Sequence, residues 1–222
     1  MKAMKAGVIG LGAFGLNVVR ELFRTGWEVI ALDRSRDLVQ AAGEYAEKSV
    51  VADCTQKDVL ADLGFANLDV AVVSMGDNLA GSVLAVMYLK ELGVPLVIAK
   101  AANDDHRKVL EKVGANQVVS PEREMAVKIA HSLGAPNILD YLPLTGDFAV
   151  MEILVPRAFA GKTIMELDLR RRYSIQIMAV KSASGEVNVL VSPEAVISAT
   201  DKLIVLGRQA DVEKLRSIAD RA

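Results

Sequence analysis

The sequence predicts an α/β fold, a doubly wound parallel sheet followed by a small α+β domain of order β-α-β-β-β-α. Three observations predict it. Through the first half, six short apolar runs alternate with stretches of helical period, the rhythm of parallel strands joined by crossover helices. Those runs are nearly all apolar instead of alternating, as strands become when helices cover both faces of a sheet. After Leu133 the texture changes to strand-like runs separated by turn residues.

The strands of the first part are read at AGVIG (6–10), EVIAL (28–32), SVVA (49–52), DVAVVS (69–74), PLVIA (95–99) and QVVS (117–120). Between them the helical period marks Ala13–Thr25, Arg36–Ala46, Lys57–Leu63, Asn78–Leu92, Asp104–Val113 and Pro121–Leu133. Gly26, Gly64, Gly93 and Gly114 close several of these, the usual stop signal of a helix. The run GAPNILDYLPLTGD brings Gly134, Pro136, Pro143 and Gly146 close together, which breaks helices and predicts a linker over 134–146. A first domain is therefore expected over 1–133 and a second over 147–222. In the second, FAVMEILVP, SIQIMAVKS, EVNVLVS and KLIVLGR read as strands, and Thr163–Tyr173 and Ala210–Arg221 as helices.

Composition excludes several function classes. The chain has 222 residues, 52% hydrophobic and 24% charged, with a net charge of -2. That is the range of a folded protein of one large domain or of a larger and a smaller one, with no overall basic field for nucleic acid. One cysteine, Cys54, and two histidines leave no internal disulfide and no cluster at metal-ligand spacing. His106, in the charged helix start DDHRK, is expected to face solvent. His131, inside an apolar helix pattern, is expected to pack or to meet another copy. No apolar run reaches the roughly 18 residues of a membrane span, and a reducing cytoplasm is the expected compartment.

The densest signal is VIGLGAFG. Gly10, Gly12 and Gly15 form G-x-G-x-x-G between the first strand and the first helix, with Ala13 and Phe14 inside the turn. Gly10 allows a tight turn, Gly12 lets the backbone approach a diphosphate, and Gly15 brings helix and sheet together. Asp33 ends the second strand, 21 residues after Gly12, where a carboxylate can accept ribose hydroxyls. The pairing predicts a Rossmann-like dinucleotide or nucleotide site, the alternative being a turn that the glycines make for the chain alone, with Asp33 capping the next helix. Asp33 opposes a ribose 2′-phosphate, although Arg34 beside it weakens that opposition. Asp53 either reaches the adenine side of the same crevice or caps a helix starting near Thr55, and Cys54 neighbours it. Ser74, Met75 and Gly76 end the fourth strand, at the carboxyl edge where open α/β sheets take ligands, with core packing the alternative for Met75. Lys100 ends the fifth strand, either meeting phosphate or solvated. The stretch after Thr145 has no histidine or cysteine, so it offers no evident catalytic set to serve a nicotinamide. A small NAD-dependent oxidoreductase is accordingly the second choice.

Taken together, GLGAFG, ALDRS, VVADCT, VVSMGDN, VIAKA, LEKVGANQVVSPEREMAVKIA, AGKTIMELDLRRRYSIQIMAVKS and DKLIVLGR resemble the RCK (regulator of K+ conductance) family of the KtrA/TrkA type. The resemblance covers nearly the whole chain, as an RCK_N (TrkA_N) domain followed by an RCK_C (TrkA_C) domain. It implies a non-enzymatic regulatory subunit, cytoplasmic at the inner face of the membrane. Its copies would form dimers and then a ring, an octamer, under a membrane-embedded potassium-translocating subunit of KtrB/TrkH type. It further implies ATP, ADP or NAD(H) at the glycine turn. Relatives often carry an arginine in the turn where this chain has Ala13, which puts ATP-versus-ADP discrimination by that residue in doubt. Glu122 matches a family acid associated with Mg2+ or another cation at the dimer interface, its alternative being a first-turn helix carboxylate. Arg170, Ile175, Gln176, Ile177 and Pro193 fall near positions that hold cyclic di-AMP in some relatives, between two copies. The run Arg170–Arg172 reads equally as a solvated helix end. A regulator of another cation transporter remains a third reading.

Overall fold

A computed structural model describes residues 3–134, 138–144, 146–208, 210–212 and 214. The chain divides into two units, Met1–Pro121 and Glu122–Ala222.

The first unit runs β1 (Lys5–Ile9), α1 (Ala13–Arg24), β2 (Glu28–Asp33), α2 (Arg36–Ala42), β3 (Lys48–Val51), α3 (Lys57–Asp62), β4 (Val70–Val73), α4 (Leu79–Glu91), β5 (Leu96–Lys100), α5 (Asp104–Val113) and β6 (Gln117–Val119). The six strands form one parallel sheet in the order β3-β2-β1-β4-β5-β6. All six strands expected from the apolar runs are present. Val8 and Ile9, adjacent on β1, point to opposite faces and join two different cores. One gathers Val8, Leu11, Val19, Val29 and Ala31. The other gathers Ile9, Leu60, Phe65, Leu89, Val97 and Leu110. Burial on both faces is why β1 and β4 lack the polar alternation of a half-exposed strand. The order reverses direction between β1 and β4, so their carboxyl ends open a crevice there.

The second unit follows with α6 (Pro121–Gly134), β7 (Ile138–Pro143), β8 (Phe148–Leu154), α7 (Ile164–Leu167), α8 (Leu169–Tyr173), β9 (Gln176–Lys181), β10 (Val187–Asn188) and β11 (Lys202–Arg208). Its five strands pair antiparallel in the order β10-β9-β11-β8-β7. Alternate residues of β8 and β11, namely Ala149, Met151, Ile153, Leu203 and Val205, face a core completed by Phe159, Leu167 and Ile197.

Several expectations need correction. Ile138–Pro143, inside the stretch read as a linker, is a strand paired with β8. Pro143 closes that strand, a position where a missing N–H costs little. The single helix expected over Thr163–Tyr173 is two short ones. Thr163 opens the first with a capping box to Glu166, and Asp168, at φ 42°, breaks the run. EVNVLVS pairs only at Val187 and Asn188, opposite Lys181 and Val180, and Leu190 stands 87% exposed. α2 stops at Ala42, short of Ala46. Of the helix expected at Ala210–Arg221, residues 210–212 and 214 are helical and the rest lie outside the described residues. The side chain of His131 also lies outside them.

His106 is the sharpest correction. It is 4% exposed, not solvent-facing. Its Nδ1 accepts the Ala102 N–H at 3.2 Å. Nε2 is therefore the protonated nitrogen and donates to Ser82 Oγ at 2.7 Å, and Ser82 in turn donates to the Leu79 carbonyl at 2.8 Å. The imidazole thus ties the loop before α5 to the first turn of α4.

Candidate nucleotide site

The three glycines of the turn are not equivalent. Gly10 sits at φ 88°, and a Cβ there would collide with the Ser74 carbonyl. A Cβ on Gly15 would collide with the Gly10 carbonyl. Both glycines are therefore required by the packing of β1, α1 and β4 themselves. Gly12 is different. Its backbone is extended, at φ -61° and ψ -174°, and a Cβ on it would meet nothing within 4 Å. No packing contact requires a glycine at 12, and the space beside it is open to a ligand approaching the start of α1. Gly12 is also the N-cap residue of α1 and makes no side-chain cap bond, so the first amides of a twelve-residue helix face this opening.

Asp33 closes the crevice on the β2 side. Its Oδ2 accepts the Leu11 N–H at 2.7 Å and its Oδ1 accepts the Ser35 N–H at 2.8 Å. A carboxylate has about four acceptor positions, so both oxygens retain capacity for ribose hydroxyls. The sequence thus places the acid, and the backbone of the glycine turn orients it.

Arg34 turns to the neighbouring strand end. Its Nη2 lies 2.7 Å from Asp53 Oδ1, and that oxygen also accepts the Thr55 N–H at 2.9 Å and the Thr55 hydroxyl at 2.6 Å. The Arg34 hydrogen bond, then those from Thr55, hold the Asp53 carboxyl down at about 2. The helix-cap alternative for Asp53 does not hold, because α3 begins at Lys57 with Gln56 as its N-cap residue. Asp53 instead closes a tight turn onto Thr55 and pairs with Arg34.

The remaining residues separate into two groups. Ala13 is exposed beside Gly12, whereas Phe14 packs into the core on its side of the sheet. Ser74 is buried, its N–H donating to the Ile9 carbonyl at 2.7 Å. Met75 packs against the second core and Gly76 is exposed at φ 57°. Cys54 is 2% exposed, and its thiol lies in the core, 3.3 Å from Met75 Sδ, turned away from solvent. Burial pushes that thiol up to about 11. Lys100 ends β5, partly exposed.

In the second unit, Arg170, Ile175, Gln176, Ile177 and Pro193 line one cavity of about 380 Å³, with Asp168 beside them. Sequence reasoning did not single out Asp168, an acid placed next to the arginine. Glu122 is exposed in the first turn of α6, together with Glu124. Among the described residues no three metal-ligating side chains converge. No helix among them is long and apolar enough to cross a membrane.

Comparison with known proteins agrees with this division. Residues 6–121 match the TrkA-N domain model and residues 150–220 the TrkA-C domain model. The chain is similar to Ktr system potassium uptake protein C of Bacillus subtilis (strain 168), with 42% identity over 93% of either chain. It is similar to Ktr system potassium uptake protein A of the same organism, with 37% identity over 98% of this chain and 97% of that one. Among solved structures, the GsuK RCK domain superposes on all of this chain with a TM-score of 0.67 at 21% identity, and this chain spans 48% of it. A GsuK channel bound to NAD gives a TM-score of 0.65 at 20% identity, covering 98% of this chain and 40% of that one. At such identities these structures bear on the fold alone.

Proposed function

The chain belongs to the family built from a TrkA-N and a TrkA-C domain, which includes the Ktr potassium uptake proteins, and from that premise we propose that it is the nucleotide-sensing regulatory subunit of a Ktr/Trk-type potassium uptake system. It acts by binding and not by catalysis. An adenine nucleotide, ATP, ADP or NAD(H), places its diphosphate over Gly12 at the start of α1 and its ribose against Asp33. The copies pair into dimers and a ring, on the cytoplasmic side, under a membrane-embedded potassium-translocating subunit of KtrB/TrkH type.

The observation that carries the reading is the open space at Gly12, where no neighbouring atom of the fold excludes a side chain. Relatives of nearly equal length named as potassium uptake proteins supply the biological setting. For a bound nucleotide to regulate flux it must favour one shape of the assembly, because equal affinity for both shifts nothing. A tenfold preference is worth about 1.4 kcal/mol per site. The cavity at Arg170 and Ile175 is proposed as a second regulatory site. There the guanidinium takes a phosphate of cyclic di-AMP and the isoleucines and Pro193 take an adenine, between two copies.

The test is a calorimetric panel of ATP, ADP, NAD and NADH on the purified chain, with the mass of the assembly measured in parallel. Saturable binding of at least one, by an assembly larger than a monomer, is expected. So is a change in potassium flux when the chain is added to vesicles holding the membrane subunit. Turnover of NADH with a substrate, or indifference to every nucleotide, would overturn the proposal.

A further inference from the structure

The two strand ends beside the ribose position, after β2 and after β3, carry three charged residues in one chain of contacts. β2 and β3 are in register with Asp33 opposite Val51, so Asp33, Arg34 and Asp53 emerge at the same end of the sheet. Asp33 is anchored through both oxygens to backbone N–H groups of Leu11 and Ser35, which fixes a negative charge where a ribose edge would lie. Arg34 is the adjacent cation, the residue type that takes a 2′-phosphate in NADP-binding sites of this fold. Here it points instead to Asp53, at 2.7 Å. Asp53 is itself held by the N–H and hydroxyl of Thr55, so it does not follow the arginine elsewhere.

We propose that Asp53 is a specificity residue of the nucleotide site: by holding Arg34 it withholds the guanidinium from a ribose 2′-phosphate and restricts the site to adenosine ligands with free 2′-hydroxyls. This rests on the nucleotide reading given above and deepens it. The three side chains carry one net negative charge, and a phosphate dianion entering there meets two carboxylates and one guanidinium already engaged. The pair is reachable by solvent, with Arg34 55% and Asp53 34% exposed at the side chain, so an exposed ion pair alone is a weak restraint. The restraint comes from the swap. Transferring Arg34 to a ligand phosphate strips Asp53 of its counter-charge beside that same phosphate, and the gain of one pair is offset by the loss of the other. Asn at position 53 removes the competing charge while its amide oxygen can still accept the Thr55 N–H, so the turn is kept.

The experiment compares ADP with 2′-phospho-ADP, and NAD with NADP, by calorimetry on the full chain and on Asp53→Asn, Arg34→Ala and the double variant. The unphosphorylated partner is expected to bind the unaltered chain at least tenfold more tightly. Asp53→Asn should move the ratio toward the 2′-phosphorylated ligand by roughly tenfold, the scale of one charge-assisted contact. The double variant should lose that gain. An unchanged ratio in Asp53→Asn overturns the proposal. So does a gain that survives loss of Arg34, which would assign the contact to another cation such as Arg36. If the unaltered chain binds neither ADP nor NAD, the nucleotide reading itself fails, and this inference with it.

Discussion

The carboxylate of Asp33 accepts the backbone N–H of Leu11 at 2.7 Å, so the acid at the end of β2 and the glycine turn after β1 are mechanically one unit. Replacing Asp33 by Ala removes two backbone hydrogen bonds as well as the ribose acceptor. Nucleotide affinity should fall by tenfold or more and folding stability by about 1–3 kcal/mol. Calorimetric titration and urea unfolding measure the two separately. Undiminished affinity in a folded Asp33→Ala protein would remove the ribose from this position.

Gly12 gives the cleanest separation of binding from folding. Gly12→Val places its side chain in open space with an extended backbone that valine adopts readily. The melting temperature should stay within a few degrees while nucleotide binding is lost. Gly15→Ala has the opposite cause, since its Cβ meets the Gly10 carbonyl, and should destabilise by more than about 2 kcal/mol. A Gly12→Val protein that still bound nucleotide with wild-type affinity would show that no ligand passes over this residue.

These contrasts also explain what the sequence revealed and what it hid. The parallel sheet was legible because strands buried on both faces become apolar runs, as in DVAVVS. The glycine turn and Asp33 were legible because their spacing follows from backbone geometry. The second sheet was harder. β7 lies in a segment punctuated by Gly134, Pro136, Pro143 and Gly146, and its pairing with β8 is a tertiary fact. In EVNVLVS the alternation is right, yet the ladder with β9 records only two pairs, and Leu190 stays in solvent. The Arg34–Asp53 pair joins residues 19 apart, and no local pattern announces it. His106 did carry a missed signal: apolar Leu110 stands four positions on, on the same stripe of α5, and both side chains are buried.

His106 predicts a pH dependence of stability with a definite sign. Burial lowers its folded-state pKa below the ordinary 6.5, because an environment stripped of water disfavours the charged ring. Above 6.5 the ring is neutral folded or unfolded, and its contribution is fully present. Below 6.5 the unfolded chain takes up the proton first, and stability falls as pH is lowered, by at most about 1.4 kcal/mol per pH unit for one proton. A second window lies lower. Asp53, held at about 2, contributes above the unfolded value of 3.8 and loses that contribution as pH falls toward 2. Thermal melts from pH 7.5 to 5 should decline for the wild type and be flatter for His106→Gln. A wild-type profile flat across that range would contradict a folded-state imidazole held neutral by burial.

The break between α7 and α8 leads to a last prediction. Asp168 and Ser174 are the non-glycine residues with positive φ among those described, at 42° and 57°. They bracket a five-residue helix, so the chain twice adopts a conformation that costs an L-residue about 1–2 kcal/mol. At Asp168 the side chain gives something back: it is 3.9 Å from Arg171, and it lines the cavity with Arg170. Among the described residues the Ser174 side chain meets no hydrogen-bond partner, and its φ ends α8 and starts β9, with Ile175 immediately buried at 1% exposed. Ser174→Gly should therefore stabilise the second unit by about 0.5–1 kcal/mol, whereas Ser174→Val should destabilise it. Amide hydrogen exchange of β8, β9 and β11 in the full chain reads the effect within this unit, and slower exchange in the glycine variant is the expected result. Faster exchange would mean that the serine side chain contributes more than its backbone strain removes.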